Sequence, residues 1–352
     1  MKYRLPIFLG ILCICTQKPA FANKGVFDLE RWDTVIENIR TKAAEQKISQ
    51  SVIDETLKSP SIIPGIIKSD KNQSEFTLTL DEYLNRTVST TRIKTGRQKA
   101  AEYPTLLGRV ENKYGIPRNV MLAFWGMESN YGAIKSKHQL TNAFFTLIYD
   151  GRREEFFTKQ LIALMKIADK NKLSINSIHG SWAGAMGHFQ FIPTTLSQYG
   201  VDGNNDGKID IIHSVGDAMY SAGNYLNKLG WAKNEPIIKR VVLPADFDRT
   251  VLNGDTKKSF TEWSKMGVTN LDGTTLKQSD TIVGLIADTK EIAKRDLYQP
   301  QRNDSDQSVD TDVAPAPVIH AYLTYPNFYR IKKWNNSSWY AIAIGELSEK
   351  LK

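Results

Sequence analysis

Cysteine is almost missing from these 352 residues: there are two, Cys13 and Cys15, both near the N-terminus. A chain with no cysteine beyond that point neither needs disulfides nor suffers from an oxidising compartment. Histidine is scarce as well, and His138, His179, His188, His213 and His320 show no zinc-type spacing. The apolar run "LPIFLGILCIC" is too short to span a bilayer. There is no internal repeat. Charge of one sign is not strongly in excess either, the formal net charge being +8.

What is present begins with an export pattern. "MKYR" is a positive start, the apolar run follows, and Ala20-Phe21-Ala22 gives an A-x-A cleavage signal. Residues 1–22 therefore read as a secretory signal peptide, and a periplasmic destination is expected. Leu12 and Ile14 are bulky where a lipid-modified cysteine usually follows a small residue, which disfavours a lipoprotein anchor. Removing Lys2, Arg4 and Lys18, with no acid among them, takes the net charge from +8 to +5. Such a surface suits a polyanionic partner as well as plain solubility. Export argues against nucleic acid as that partner.

From Phe27 to about Leu229 the pattern is mostly helical. "FDLERWDTVIENIRTKAAEQ" spaces Phe27, Leu29, Trp32, Val35, Ile36 and Ile39 near the helical period. Near Pro236 the texture changes: "PIIKRVVLPADFD" and "DTIVGLIAD" are short β-rich runs between turn residues. "QPQRNDSDQSVDTDVAPAP" (299–317) is polar and Pro-bearing and reads as a flexible loop. A Tyr-rich, strand-like stretch and a final helix from about Asn336 follow. The expectation is a mainly α chain with a small β part (α+β). It divides into a helical body over 23–234, a β-containing insert with the polar loop over 235–317, and a C-terminal return over 318–352.

"MLAFWGMESNYGA" (121–133) places one carboxylate, Glu128, at the end of a helix with almost no polar face. Burial and the negative end of the helix dipole both disfavour its charged form, pushing a carboxyl toward staying protonated. A protonated carboxyl is what a glycosidic oxygen needs in order to leave. The same pattern also fits a Glu that simply reaches the surface at a helix end.

A second stretch bears on this. "GSWAGAMGHFQFIPTTLSQYGVDGNNDGKIDI", from Gly180, joins small residues to Gln190, Phe191 and Pro193. With "ESNYG", "GRREEFF" and "YPNFYRIKKWNNSSWYAIAIGEL", in that order and spacing, the chain resembles the B-type lytic murein transglycosylases, a lysozyme-related family. The resemblance runs from about Phe27 to the C-terminus. It implies a lysozyme-like core with a helical lobe and a small β lobe. It also implies cleavage of the β-1,4 bond between N-acetylmuramic acid and N-acetylglucosamine in peptidoglycan strands, without water, leaving 1,6-anhydro ends.

In that scheme Glu128 acts first as acid, then as base toward the muramyl C6 hydroxyl. One carboxylate suffices because the substrate supplies the nucleophile; a hydrolase generally needs a second acid. The resemblance sets Ser181 and Gln190 against the sugar near the cleavage point, and Arg152 and Arg153 against substrate carboxylates. Tyr83, Tyr225 and Tyr329 match sugar-contacting tyrosines. Leu323 stands where the family tends to carry a further Tyr. Two alternatives stay open: a hydrolytic muramidase, and a non-catalytic wall-binding protein. A monomer is expected, with contacts to membrane or wall-synthesis proteins left open.

"DGNNDGKIDIIH" (202–213) follows an EF-hand loop for most of its length, and the resemblance implies an EF-hand-like loop at this place. Asp202, Asn204, Asp206, the Lys208 carbonyl and Asp210 occupy ligand positions, and Gly207 makes the turn. Position twelve is His213, a poor ligand for a hard cation. A structural Ca²⁺ is the expectation, with no cofactor for catalysis.

Overall fold

Residues 27–71, 78–134, 136–290, 292 and 319–352 are described by the computed structural model of the chain. The expected signal segment 1–22 and the polar stretch 299–317 lie outside the described residues.

Helix ends follow the capping chemistry of the sequence. Asp28 caps α1 (Leu29–Glu45) by accepting Arg31 N at 3.0 Å. α2 (Gln50–Leu57) and α3 (Pro64–Lys71) come next. Thr79 and Glu82 form a reciprocal capping box on α4 (Leu80–Thr87). α5 (Thr90–Glu102) gives way to Pro104, which opens α6 (Pro104–Tyr114); Gly115, with φ 72°, closes it.

α7 (Arg118–Ser129) is the centre of the molecule. Val120, Met121, Leu122, Ala123, Phe124 and Trp125 are all buried, so the helix has neighbours on every side. α5, α6 and α11 (Val215–Lys228) pack on it, as does α14 (Ser338–Lys350), the last helix of the chain. Truncating Phe124 or Trp125 to alanine would cost about 3–5 kcal/mol, the usual range for a buried aromatic. α8 (Leu140–Asp150), α9 (Glu154–Asn171) and α10 (Pro193–Tyr199) complete the body, with the two-residue strands β1 (His138–Gln139) and β2 (His179–Gly180) paired between them.

A second, smaller core belongs to the β lobe, around Val241, Leu243, Trp263, Val283, Leu285 and Leu323. Its antiparallel sheet runs β3-β6-β5-β4, from β3 (Ile238–Leu243), β4 (Asn253–Ser259), β5 (Ile282–Ile286) and β6 (Ile319–Thr324). α12 (Phe260–Lys265) packs against β4 behind a Ser259/Glu262 capping box. β6 lies between β3 and β5, and Tyr325 then leads directly into α13 (Pro326–Trp334) on the helical body. The Tyr-rich stretch expected as a return to the body thus first contributes a central strand to the small lobe. The chain is mainly α with a small β part.

Candidate active site

Glu128 sits in the last turn of α7, half-buried. Its Oε1 accepts two neutral donors from the far end of the chain: Trp334 Nε1 at 2.9 Å and Tyr340 Oη at 2.5 Å. Donors aimed at a carboxylate favour its charged form, whereas burial and the helix C-terminus favour the neutral one. The group stands between these opposed influences. Tyr340 itself keeps its proton: full burial, then the adjacent Glu128, hold its phenol well above the usual range. Tyr83, on α4, adds to that push, which places it electrostatically within reach of the pair.

Trp334 is fixed by an aromatic wall. Its ring lies 5.0 Å from Phe124, 4.9 Å from Tyr225 and 5.5 Å from Phe191, and Tyr225 stacks on Tyr199 at 4.6 Å. Rings at these distances attract one another and hold each other's orientation. Tyr225 therefore belongs to the surroundings of Glu128, one ring behind a donor.

The backbone after Glu128 is unusual. Asn130 (φ 49°), Tyr131 (φ 59°) and Gly132 (φ 80°) are successive left-handed residues. For the two non-glycine members this costs of order 1–2 kcal/mol each, so other contacts must hold them. Tyr131 is buried, donates its Oη to Arg92 O at 3.0 Å, and lies edge-on to Trp125. A Cβ on Gly126 would stand 2.7 Å from the Tyr131 ring, so only glycine admits it there. Burial lifts the Tyr131 phenol to about 12.

Ser181 and Gln190 are half-buried in neighbouring turns and already employed locally. Ser181 Oγ accepts Ala185 N at 3.0 Å, and its backbone N–H donates to Ala185 O at 2.7 Å. Gln190, with φ 48°, donates Nε2 to Gly187 O at 3.0 Å. Phe191, next to it, belongs to the aromatic wall.

Comparison with known proteins bears directly on this arrangement. The family described as "Transglycosylase SLT domain" matches residues 31–349. The chain belongs to that family. A solved relative, SltB3 from Pseudomonas aeruginosa in complex with NAG-anhNAM-pentapeptide, is 33% identical with a TM-score of 0.78, covering 91% of this chain and 79% of its own. Slt35 from Escherichia coli in complex with calcium is 23% identical with a TM-score of 0.71, over 91% and 92% of the two chains, and shares the fold. Membrane-bound lytic murein transglycosylase B of Escherichia coli is 28% identical over 251 residues. The match spans 70% of this chain but only 60% of that relative's length. The fold is accordingly the lysozyme-like one of the lytic transglycosylases.

In this transglycosylase SLT domain, two expected groups make contacts of their own. Arg152 and Arg153 both close on Asp70, a buried carboxylate of α3, and Arg153 also lies over Phe157 at 4.8 Å. Tyr329 turns to the β lobe: its Oη donates to Gly254 O at 2.5 Å and lies 2.7 Å from Thr324 Oγ1, with Lys257 Nζ 4.1 Å above the ring.

The 202–210 loop is held by its own carboxylates. Asp202 Oδ2 accepts Gly207 N at 2.8 Å, Asn204 Oδ1 accepts Asp206 N at 3.0 Å, and Asp206 Oδ1 accepts Lys208 N at 2.9 Å. Asp210 turns to His213, whose Nδ1 lies 2.9 Å from Oδ2, while Oδ1 takes the Ile212 and His213 N–H groups. Burial pushes Asp210 up, but those bonds outweigh it and leave its carboxyl below the usual range. Asp202, Asn204, Asp206 and Asp210 match a hard cation in chemistry, since all offer oxygen, and in each of the three aspartates both carboxylate oxygens accept hydrogen bonds within the loop. Among the described residues no three His, Cys, Asp or Glu side chains gather as a metal group.

Three partners escaped sequence reasoning. Trp334 and Tyr340 lie 206 and 212 residues from Glu128, beyond any local pattern. The third is Asp217, fully buried, around which the loop folds: it accepts Gly203 N at 2.9 Å, Asn204 N at 3.2 Å and Asp210 N at 2.8 Å. An acid at the start of a helix, one turn after the loop, is the one signal that could have found it.

Proposed function

We propose that this chain is a lytic transglycosylase that cuts the β-1,4 bond between N-acetylmuramic acid and N-acetylglucosamine in peptidoglycan without adding water. The reading rests on Glu128, a half-buried carboxyl at the end of an apolar helix, held at one oxygen by an indole and a phenol that keep their own protons. The complex of the relative SltB3 with NAG-anhNAM-pentapeptide supports the same chemistry.

In this reading Glu128 protonates the bridging oxygen, and the sugar departs from C1. The resulting carboxylate, stabilised by Trp334 and Tyr340, takes the proton of the muramyl C6 hydroxyl, whose oxygen closes onto C1. The proton returns to Glu128 and the bond count balances. Ser181 and Gln190 are assigned to the sugar near the cleavage point, and Tyr83, Tyr225 and Tyr329 to other sugar contacts. Arg152 and Arg153 are assigned to substrate carboxylates, in competition with Asp70. Export to the periplasm brings the chain to its substrate; among the described residues no helix is long and apolar enough to cross a membrane. Action as a monomer belongs to the same reading.

A structural Ca²⁺ is part of the proposal. Asp202, Asn204, Asp206 and Asp210, with the Lys208 carbonyl, would hold it, and its charge would brace the loop.

Mass spectrometry of fragments released from purified sacculi by the mature chain decides the reaction. Anhydro-ended fragments, lighter by one water than hydrolysed ones, are expected. Reducing-end fragments would assign a muramidase, and no release at all would assign a binding protein.

A further inference from the structure

The turn from Met186 to Phe191 is closed by reciprocal backbone bonds, Met186 N to Phe191 O at 2.9 Å and Phe191 N to Met186 O at 3.0 Å. Within it stands His188, held from three sides. Trp125 Nε1 donates to its Nδ1 at 3.0 Å, so the imidazole is neutral with its hydrogen on Nε2. Ser129 Oγ donates to its carbonyl at 2.7 Å, and its own N–H donates to Ile211 O at 3.1 Å. The ring also fills the space over Gly132, where a Cβ would stand 2.5 Å from Nδ1 and Cε1.

Trp125 and Ser129 bracket Glu128 on α7, three residues before it and one after. Ser129 Oγ further accepts Gly132 N at 2.9 Å, tying the left-handed segment to the same junction. The turn also reaches Glu128 by a second route, because Phe191 packs on Trp334, a donor to Oε1. An apolar residue could fill this volume, but it would leave the Trp125 indole N–H without its acceptor. A buried donor left unpaired moves, or moves its neighbours, to find a partner.

We infer that His188 is a positioning residue for Glu128: it fixes the helix end from which the acid projects and acts on proton transfer rather than on sugar binding. This rests on the transglycosylase reading of Glu128. Displacing a reacting group by about 1 Å is enough to cost on the order of 100-fold in rate.

The test uses the mature protein on soluble glycan strands. His188→Phe keeps a ring without the acceptor, and His188→Asn places a carbonyl oxygen close to where Nδ1 stands. His188→Phe is expected to lower kcat by roughly 10- to 100-fold with KM changed less than about twofold. His188→Asn should recover most of that loss. Trp125→Phe should lower kcat similarly and add nothing to His188→Phe. A His188→Phe kcat within about twofold of the parent, or a loss carried by KM, overturns the inference. If His188→Phe does not fold, Trp125→Phe and His188→Asn decide on the same readouts. If the parent releases no product, the transglycosylase reading fails separately. Exchange of the Trp125 indole hydrogen, read by NMR without substrate, then decides the junction: slow in the parent and fast in His188→Phe supports it, equal rates sink it.

Discussion

The phenol of Tyr340 donates to Glu128 Oε1 at 2.5 Å across 212 residues of sequence. It is fully buried and stays protonated, so it offers a hydrogen to the carboxyl at every working pH. Replacing Tyr340 with Phe withdraws a donor that favours the carboxylate over the acid. The alkaline limb of the rate profile should then move to higher pH, and stability should fall by about 1–2 kcal/mol for the lost bond. A pH profile of glycan release against that of the parent measures the first effect; an unmoved limb counts against the coupling.

Glu128→Gln keeps an amide oxygen for Trp334 Nε1 and Tyr340 Oη but cannot supply a proton. The variant should fold and bind sacculi like the parent while turnover drops by at least about 100-fold, more where positioning is lost with the acid. Binding to sacculi and product release, measured side by side, separate the two properties. Retention of a tenth of the activity would remove Glu128 from the chemistry.

Calcium at about ten times a millimolar Kd should stabilise the folded chain by about 1.4 kcal/mol, enough to raise Tm by a few degrees. The rise should vanish in Asp202→Ala. Asp217→Ala has a different signature: it strips the acceptor from three loop N–H groups and should destabilise the chain by a few kcal/mol with or without calcium. Thermal melts with and without chelator distinguish these outcomes.

Burial raises Tyr131 to about 12, above the ordinary phenol value of 10.0. Between those values the folded chain holds a proton that the unfolded chain has lost, so stability falls as pH rises through this window. That rise corresponds to roughly 2–3 kcal/mol at most. Tyr131→Phe should be less stable at neutral pH, having lost the bond to Arg92 O, but its stability should decline less steeply from pH 10 to 12. Denaturant midpoints across that range check the slope.

Much of the fold was legible because burial leaves a local trace. "VMLAFWGM" has no polar face and became the central helix, and "TIVGLIAD" became β5. β4, "NGDTKKS", gave no such trace: it is an edge strand whose lysines suit solvent, so neither alternation nor β-branching marks it. Glu128 could be singled out because one acid in apolar surroundings is conspicuous. Trp334 gave no sign of its role, since a side chain's hydrogen-bond partner two hundred residues away is fixed by tertiary packing alone. The Arg pair was set against substrate carboxylates because nothing local says that Asp70 meets them.

The acid lies in the first half of the polypeptide and its donors within its last twenty residues. A nascent or clipped chain that stops before residue 334 carries Glu128 but lacks both donors to Oε1 and the last helix that packs on α7. If the transglycosylase reading holds, such a fragment keeps the acid but not its two donors, and glycan release waits on the last two helices.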